Sequence, residues 1–359
     1  MIIKKLTIKD FRNFDEVEIL PSEQVNVIFG DNAEGKTNLL EAIWLFCGAK
    51  SFRGAKDKEM VGFEKEKAVN SCEYIFGGIE RNARIIIDEK RNADIGGKKL
   101  PSAGNLAGKF YALVFSPLDL NLVNGTPSVR RKFLDTAIGQ IYPAYNEKLR
   151  DYVKAVKQRN FILKDLKYHT DIEPIIDGFE NSLSINAAEI VKYRRKYIEI
   201  LKKSAPEIYY GISGGREKLE IKYESEISEK TTVEEIKKMY ENSRKEDIIT
   251  KVTSVGPHRD DVLLELNEKP IKSFGSQGQR RSVALALKLS EAGVVKKITG
   301  EYPVALLDDV MSELDTSRQD YILNHIKDWQ VFITCCDPAN ILRAKGAKIF
   351  NIKNGEVRQ

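Results

Sequence analysis

The chain opens on an alternating pattern. Met1-Ile2-Ile3-Lys4-Lys5-Leu6-Thr7-Ile8-Lys9 sets apolar against polar positions at close to period two, which predicts a half-buried strand over residues 1–10 rather than a secretory leader, because no sustained apolar run follows. Further short strands are predicted at 16–19, 25–29, 72–79, 83–88 and 110–115, with a turn at Gly96-Gly97. From about Ser128 to Lys203 the texture changes to long helical periodicity rich in Lys, Arg, Glu and Tyr. Leu219-Glu220-Ile221-Lys222-Tyr223 then resumes strand-like alternation, residues 231–249 read as another helix, and residues 252–359 alternate strands with helices. Two stretches of mixed pattern thus flank a helical one. The prediction is an α/β head domain built from residues 1–122 and 250–359, with a mainly helical second domain, 123–249, inserted between its halves. The insert lacks the sustained heptads of a long coiled coil, and no internal repeat is visible.

Composition narrows this picture only a little. In a chain of 359 residues, an apolar content of 42% is enough for a real core. No stretch is long and apolar enough to cross a membrane. The four cysteines, at 47, 72, 335 and 336, form neither a metal-ligand spacing nor a secreted disulfide framework, and a reducing cytoplasm is the expected compartment. A formal charge of +5 permits nucleic-acid binding without establishing it.

Chemistry enters at Gly30-Asp31-Asn32-Ala33-Glu34-Gly35-Lys36-Thr37, which fits the eight-position pattern of a phosphate-binding loop. It lies between the strand at 25–29 and a run carrying Leu39, Leu40, Ile43 and Phe46 at near-helical spacing. In that setting Gly30 and Gly35 let backbone amides turn toward a β-phosphate, and the helix start offers unpaired amides and a positive dipole end. Lys36 is predicted to bridge the β- and γ-phosphates of ATP, and the Thr37 hydroxyl to ligate Mg2+. Pro303-Val304-Ala305-Leu306-Leu307-Asp308-Asp309 is an apolar strand ending in two carboxylates. Asp308 is the candidate to hold magnesium, and Asp309 the candidate to orient or deprotonate the attacking water. Asp315, soon after, is open to two readings: support for a dimer partner, or cap of the next helix.

Ser273-Phe274-Gly275-Ser276-Gln277-Gly278-Gln279-Arg280-Arg281 precedes an apolar-periodic helix and resembles the signature loop of ATP-binding-cassette ATPases. That resemblance implies that Ser276, Gly278 and Gln279 touch the γ-phosphate held by the loop of a second subunit, making ATP the link of a homodimer. The bland reading is a Ser/Gly helix start. Three motifs in this order resemble the head of the SMC-like branch of cassette ATPases. Phe11-Arg12-Asn13-Phe14, Phe115-Ser116-Pro117-Leu118-Asp119-Leu120, Arg130-Arg131-Lys132-Phe133-Leu134-Asp135 and Gly256-Pro257-His258-Arg259-Asp260-Asp261 narrow the resemblance to the RecF family, over essentially the whole chain.

The resemblance implies a cytoplasmic repair ATPase that dimerises on ATP, binds double-stranded DNA beside single-strand gaps, and works with RecO and RecR to place RecA. It also implies nucleotide contacts from Arg12, Asn13, Asn32 and Asn38. The chain departs from the cassette pattern at three points. Asp309 stands where glutamate is usual, Thr334 or a cysteine of Val331-Phe332-Ile333-Thr334-Cys335-Cys336 stands in the region of the switch histidine, and the Ser116–Asp119 segment has no glutamine. Asp119 or no residue takes that glutamine's magnesium role. The shorter arm of Asp309 predicts slow, switch-like turnover. The densest basic clusters, Arg130-Arg131-Lys132 and Lys192 to Tyr197 with Arg194 and Arg195, are read either as contacts to DNA phosphates or as solvated helix faces. No base-reading motif is present. The rival functions are a cassette nucleotide-binding subunit of a transporter and an ATP-gated DNA clamp that does not hydrolyse.

Overall fold

The first strand, β1 (Ile2–Phe11), buries Ile3, Leu6, Ile8 and Phe11 completely. The three-residue step from Ile3 to Leu6 breaks strict alternation. A register shift between Ile3 and Lys5 against the neighbouring strand absorbs the extra residue, so neither Lys4 nor Lys5 has to enter the core. The computed structural model describes residues 1–164, 173–336 and 347–358. Residues 165–172, inside the predicted helical stretch, lie outside the described residues.

The chain divides into two compact units, the first comprising Met1–Asp119, Ile208–Gly215 and Ala284–Gln359. Among the described residues its strands form two sheets. The antiparallel sheet runs in the order β2 (Phe14–Ile19), β1, β4 (Ala68–Phe76), β5 (Ile79–Ile87), β6 (Arg91–Ile95) and β7 (Lys98–Lys99). The strand expected at 72–79 ends earlier, because Gly77 and Gly78 both take positive φ, 62° and 70°, and make the tight turn between β4 and β5. The second sheet runs β15 (Glu356–Arg358), β14 (Lys348–Lys353), β3 (Val25–Phe29), β13 (Val331–Cys335), β12 (Val304–Asp308) and β8 (Ala112–Phe115). All its pairings are parallel except β14 with β15. The parallel strands β8, β12 and β13 are buried at every position, as expected of strands covered on both faces. Asn26 is fully buried in β3 and bonds the carbonyls of Ser22 at 3.0 Å and Val331 at 3.2 Å. Helix α1 (Lys36–Trp44) packs on β8, β12 and β13 through its apolar face.

The second unit comprises Leu120–Glu207 and Arg216–Val283. Its helices are α2 (Asn121–Asn124), α3 (Pro127–Ile141), α4 (Pro143–Lys164), most of α5 (Glu173–Ser213), α6 (Val233–Thr250) and α7 (Ile271–Phe274). Helix α5 runs past the expected end at Lys203 and through Pro206, with Leu201, Ala205 and Tyr209 continuing its buried stripe. A small sheet, β11 (Lys269–Pro270), β10 (Asp261–Leu266) and β9 (Leu219–Glu224), completes this unit. Six antiparallel pairs from Asp261↔Glu224 to Leu266↔Leu219 tie β10 to β9, and α3 packs on β10. The stretch 250–283, assigned from sequence to the head, therefore groups with the helices. The boundary at Val283 falls within α8 (Gln277–Thr299), and α9 (Thr316–His325) belongs to the first unit.

Candidate nucleotide site

Loop Gly30–Gly35 joins β3, a central strand of the parallel sheet, to α1. Gly35 takes φ 115° at the helix start and supplies no side-chain cap, and the first turn carries no acidic residue. The amides at this helix start are therefore open to an anion from outside the chain. A Cβ on Gly35 would stand 2.7 Å from the Asn13 side chain, and one on Gly30 would stand 2.3 Å from the Ile352 carbonyl oxygen. Both positions are closed to a larger residue. Glu34 reaches over the loop and accepts the backbone N–H of Asn354.

Lys36 is nearly buried and folds back on its own loop. Its Nζ donates to the carbonyls of Gly30 at 2.5 Å and Asp31 at 2.9 Å, and lies 3.6 Å from Cys336 Sγ. Those two carbonyls satisfy the ammonium within its own loop. The Cys336 thiol in turn donates to Asn32 Oδ1 at 3.3 Å. The chain beyond it, from Asp337, lies outside the described residues until 347.

The two halves of the predicted site meet at Asp308. Thr37 Oγ1 donates to Asp308 Oδ1 at 2.8 Å, and Thr334 Oγ1 donates to the same oxygen at 3.0 Å. Burial pushes this carboxyl above the usual carboxylate range and the neighbouring Asp309 adds to the shift, while the two hydroxyls oppose it. One hydroxyl beside one buried carboxylate, in a site where the described residues offer no group of three or more His, Cys, Asp or Glu, fits Mg2+, which takes few protein ligands and completes its shell with water and phosphate. Asp309 follows in the left-handed region at φ 53° and is exposed. Its backbone N–H donates to Thr334 Oγ1 at 2.9 Å, and the Ser312 hydroxyl donates to its carbonyl at 2.9 Å and its carboxylate at 3.1 Å.

At the signature segment, Ser276 and Gln279 cap α8 reciprocally. Gln279 N–H donates to Ser276 Oγ at 3.2 Å, and Ser276 N–H donates to Gln279 Oε1 at 2.6 Å. Gln279 Nε2 also donates to Glu217. The helix start read as the bland alternative is therefore real, with Ser276 exposed beside Phe274, which is 71% exposed.

A protein of Clostridium perfringens (strain SM101 / Type A), "DNA replication and repair protein RecF", is 38% identical over 364 residues, covering 100% of each chain. This chain belongs to the RecF family. The RecF of Agathobacter rectalis is 39% identical over 366 residues, covering 99% of each chain. A family model described as RecF/RecN/SMC N terminal domain matches residues 2–99. Among solved structures, the recombination mediator protein RecF-ATPrS in the RecFOR pathway is 36% identical, with a TM-score of 0.92 over 99% of this chain and 97% of that one. An Smc head domain from Pyrococcus furiosus is 14% identical, with a TM-score of 0.56 over 99% of this chain and 95% of that one. That likeness confirms the SMC-like head fold.

The RecF landmarks take structural places. Arg12, itself at φ 56°, gives Nε and NH2 to Glu41 Oε2 at 2.9 and 2.8 Å and NH1 to the Glu59 carbonyl at 2.8 Å. Asn13 donates to the Glu34 carbonyl at 2.7 Å and accepts from Asn38 Nδ2 at 2.8 Å, while Asn38 accepts from Arg53 at 2.8 Å. Arg12, Asn13 and Asn38, expected to meet nucleotide, thus brace the loop and α1. Glu41, the buried anchor of this network, is not among the residues the motifs single out. A lone acid inside the apolar run Leu39–Ile43 is the signal that marks it. Asp119, a candidate for the magnesium role, accepts Ser116 N–H at 2.6 Å and closes its own turn.

The basic clusters require a correction. Arg130 makes a two-pronged pair with Asp261, at 2.7 and 2.8 Å. Arg194, with a side chain 2% exposed, bonds Asp135 at 2.8 Å, Asp260 at 3.1 Å and the Pro257 carbonyl at 2.6 Å. Arg131 donates to the Asp260 carbonyl at 2.7 Å; Arg195 donates to the Ile227 carbonyl at 2.5 Å and lies over the Tyr223 ring at 5.2 Å. Arg130 and Arg194 are withdrawn from phosphate contact, and with Arg131 they hold the Gly256–Asp261 loop of the RecF pattern. His258 completes that loop. The Thr253 carbonyl can only accept, at 2.9 Å, so Nε2 carries the proton and Nδ1 accepts from the Tyr152 hydroxyl at 2.7 Å. Lys132, Lys192 and Lys196 stay exposed.

Proposed function

We propose that this RecF-family chain is an ATP-driven switch of recombinational DNA repair, binding double-stranded DNA beside single-strand gaps and helping RecO and RecR load RecA. The observation that carries the ATP reading is the Thr37–Asp308 bond beside an uncapped α1 start. When ATP enters, Lys36 exchanges the Gly30 and Asp31 carbonyls for the β- and γ-phosphates, and the loop amides cradle the β-phosphate. Thr37 and Asp308 would hold Mg2+, which would supply charge neutralisation at the phosphates. Asp309, with its carboxylate steadied by Ser312, orients the attacking water. Its short arm keeps turnover slow, so hydrolysis resets the switch.

ATP joins two copies through the exposed Ser276 end of α8. Double-stranded and gapped DNA meets Lys132, Lys192 and Lys196 through its backbone, so binding weakens steeply with salt and depends little on sequence. Among the described residues no helix is long and apolar enough to cross a membrane, which accords with work in the cytoplasm. The transporter-subunit reading loses support because Asp119 is committed to its own turn and neither glutamine nor histidine fills the cassette positions.

The test is ATP binding and hydrolysis with and without gapped duplex. Lys36→Ala should lose ATP affinity by tenfold or more, roughly the strength of a charge-assisted bond to phosphate. Asp309→Asn should keep binding and lose turnover. ATP binding with no wild-type turnover above that of Lys36→Ala would favour the non-hydrolysing clamp instead, and equal, genuine turnover in Asp309→Asn and wild type would remove Asp309 from the reaction.

A further inference from the structure

We propose that Thr334 is a positioning residue that sets both site carboxylates, Asp308 and Asp309, for hydrolysis, an inference that rests on the ATP reading above. The position is fixed by sheet register. Strand β13 lies between β12 and β3, and Thr334 pairs with Asp308 on one side and Ile28 on the other. The residue is 1% exposed, so its hydroxyl has no water to satisfy it. It serves two consecutive residues instead, giving its proton to Asp308 Oδ1 at 3.0 Å and accepting the Asp309 N–H at 2.9 Å. The Leu307 carbonyl, at 3.4 Å, is the more distant and uncharged competitor for that single proton.

Two hydroxyls converge on Asp308 Oδ1, but they differ in what they do next. Thr37 is the residue whose oxygen would ligate magnesium through a lone pair while its proton stays on Asp308, so its hydroxyl would be shared between metal and carboxylate. Thr334 has no such second task and is the donor dedicated to holding Asp308 in place. Its second bond fixes the peptide plane leading into Asp309, a non-glycine residue at φ 53°. That conformation is disfavoured for a side chain and persists only where its surroundings hold it. The Asp309 carboxylate thus takes its direction from Thr334 on the amide side and Ser312 on the carbonyl side. Sensing a phosphate directly would require this hydroxyl to withdraw its single proton from Asp308.

The experiment uses the full chain as wild type, Thr334→Val, which keeps the branched shape without the hydroxyl, and Thr334→Ser, which keeps the hydroxyl. ATP affinity is titrated in magnesium and in EDTA, alongside kcat and the thermal midpoint. The expected result is that Thr334→Val matches wild type in EDTA, loses most of the magnesium-dependent gain in affinity, and falls about tenfold or more in kcat. Thr334→Ser should recover both to within about threefold of wild type, a rescue that loss of folding alone would not give. The proposal is overturned if Thr334→Val retains the magnesium gain and kcat, if it already loses ATP affinity in EDTA, or if Thr334→Ser fails equally. A wild type that binds no ATP in either buffer removes the nucleotide reading, and this inference with it.

Discussion

Arg194 shows how one residue can be misread from charge and read correctly from spacing. In the run Lys192 to Tyr197 it looks like part of a basic patch, yet it shares the buried stripe of α5 with Ile190, Val191, Tyr197, Ile198 and Leu201. The helical period therefore contained the answer, and its acidic partners did not, because Asp135 and Asp260 lie 59 and 66 residues away in the chain. Removing one side of a buried pair strands the other charges. Arg194→Met is expected to cost roughly 3 kcal/mol or more in urea unfolding, while the salt-dependent affinity of the folded protein for gapped DNA stays unchanged. A stable Arg194→Met with weakened DNA binding would restore the phosphate-contact reading. Glu41 has no mark in the sequence beyond its apolar setting, and Thr334 stands there only as one of the candidates in the region of the switch histidine, for a related reason. Their roles come from cross-strand register and from a network of distant partners, which no local window displays.

At the scale of elements, pattern and turn chemistry carried most of the information. Strand β3, the glycine loop and α1 were legible as a unit because the apolar strand, the two glycines and the helical spacing agree. Boundaries failed where local geometry intervened, as at the Gly77-Gly78 turn and at Pro206, which α5 overrides by burying the residues around it. Asp315 resolves as a cap. Its side chain accepts the Arg318 N–H at 3.0 Å at the start of α9, with Ser317 and Arg318 side chains also on the carboxylate. The Ser317 hydroxyl, followed by the Arg318 amide, draws its pKa down from 3.8 to about 2. A folded value below the unfolded one means that the cap stabilises fully above pH 3.8 and is lost as pH falls toward 2. Asp315→Ala should therefore lower stability at neutral pH by about 1 kcal/mol, the usual worth of such a cap, and the gap to wild type should close in acid. Thermal melts at neutral and acid pH measure it, and a gap that persists at pH 2 would show that the carboxylate is not the cap.

At the scale of the whole molecule, the α/β head and the inserted helices were legible because the hydrophobic period changes twice along the chain. The inner boundary was not. Pairing of β9 with β10 draws the stretch before the signature segment into the helical unit, and strand partners some 40 residues apart leave no local mark. The Ser276 end of α8 belongs to one unit and the P-loop to the other, while Ser276 is exposed with Phe274 bare beside it. An exposed Ser276 end of α8 next to an exposed aromatic suits the proposed contact with a second copy.

In the proposed switch, ATP joins two of these chains through that surface. The most direct measurement is the light-scattering mass of wild type and Ser276→Arg, with and without ATP and magnesium, in the presence of gapped duplex. The account predicts that ATP doubles the wild-type protein mass and leaves Ser276→Arg monomeric, with both proteins folded by thermal melt. Bound ATP with no change in the mass of either protein, or doubling of both alike, would contradict it.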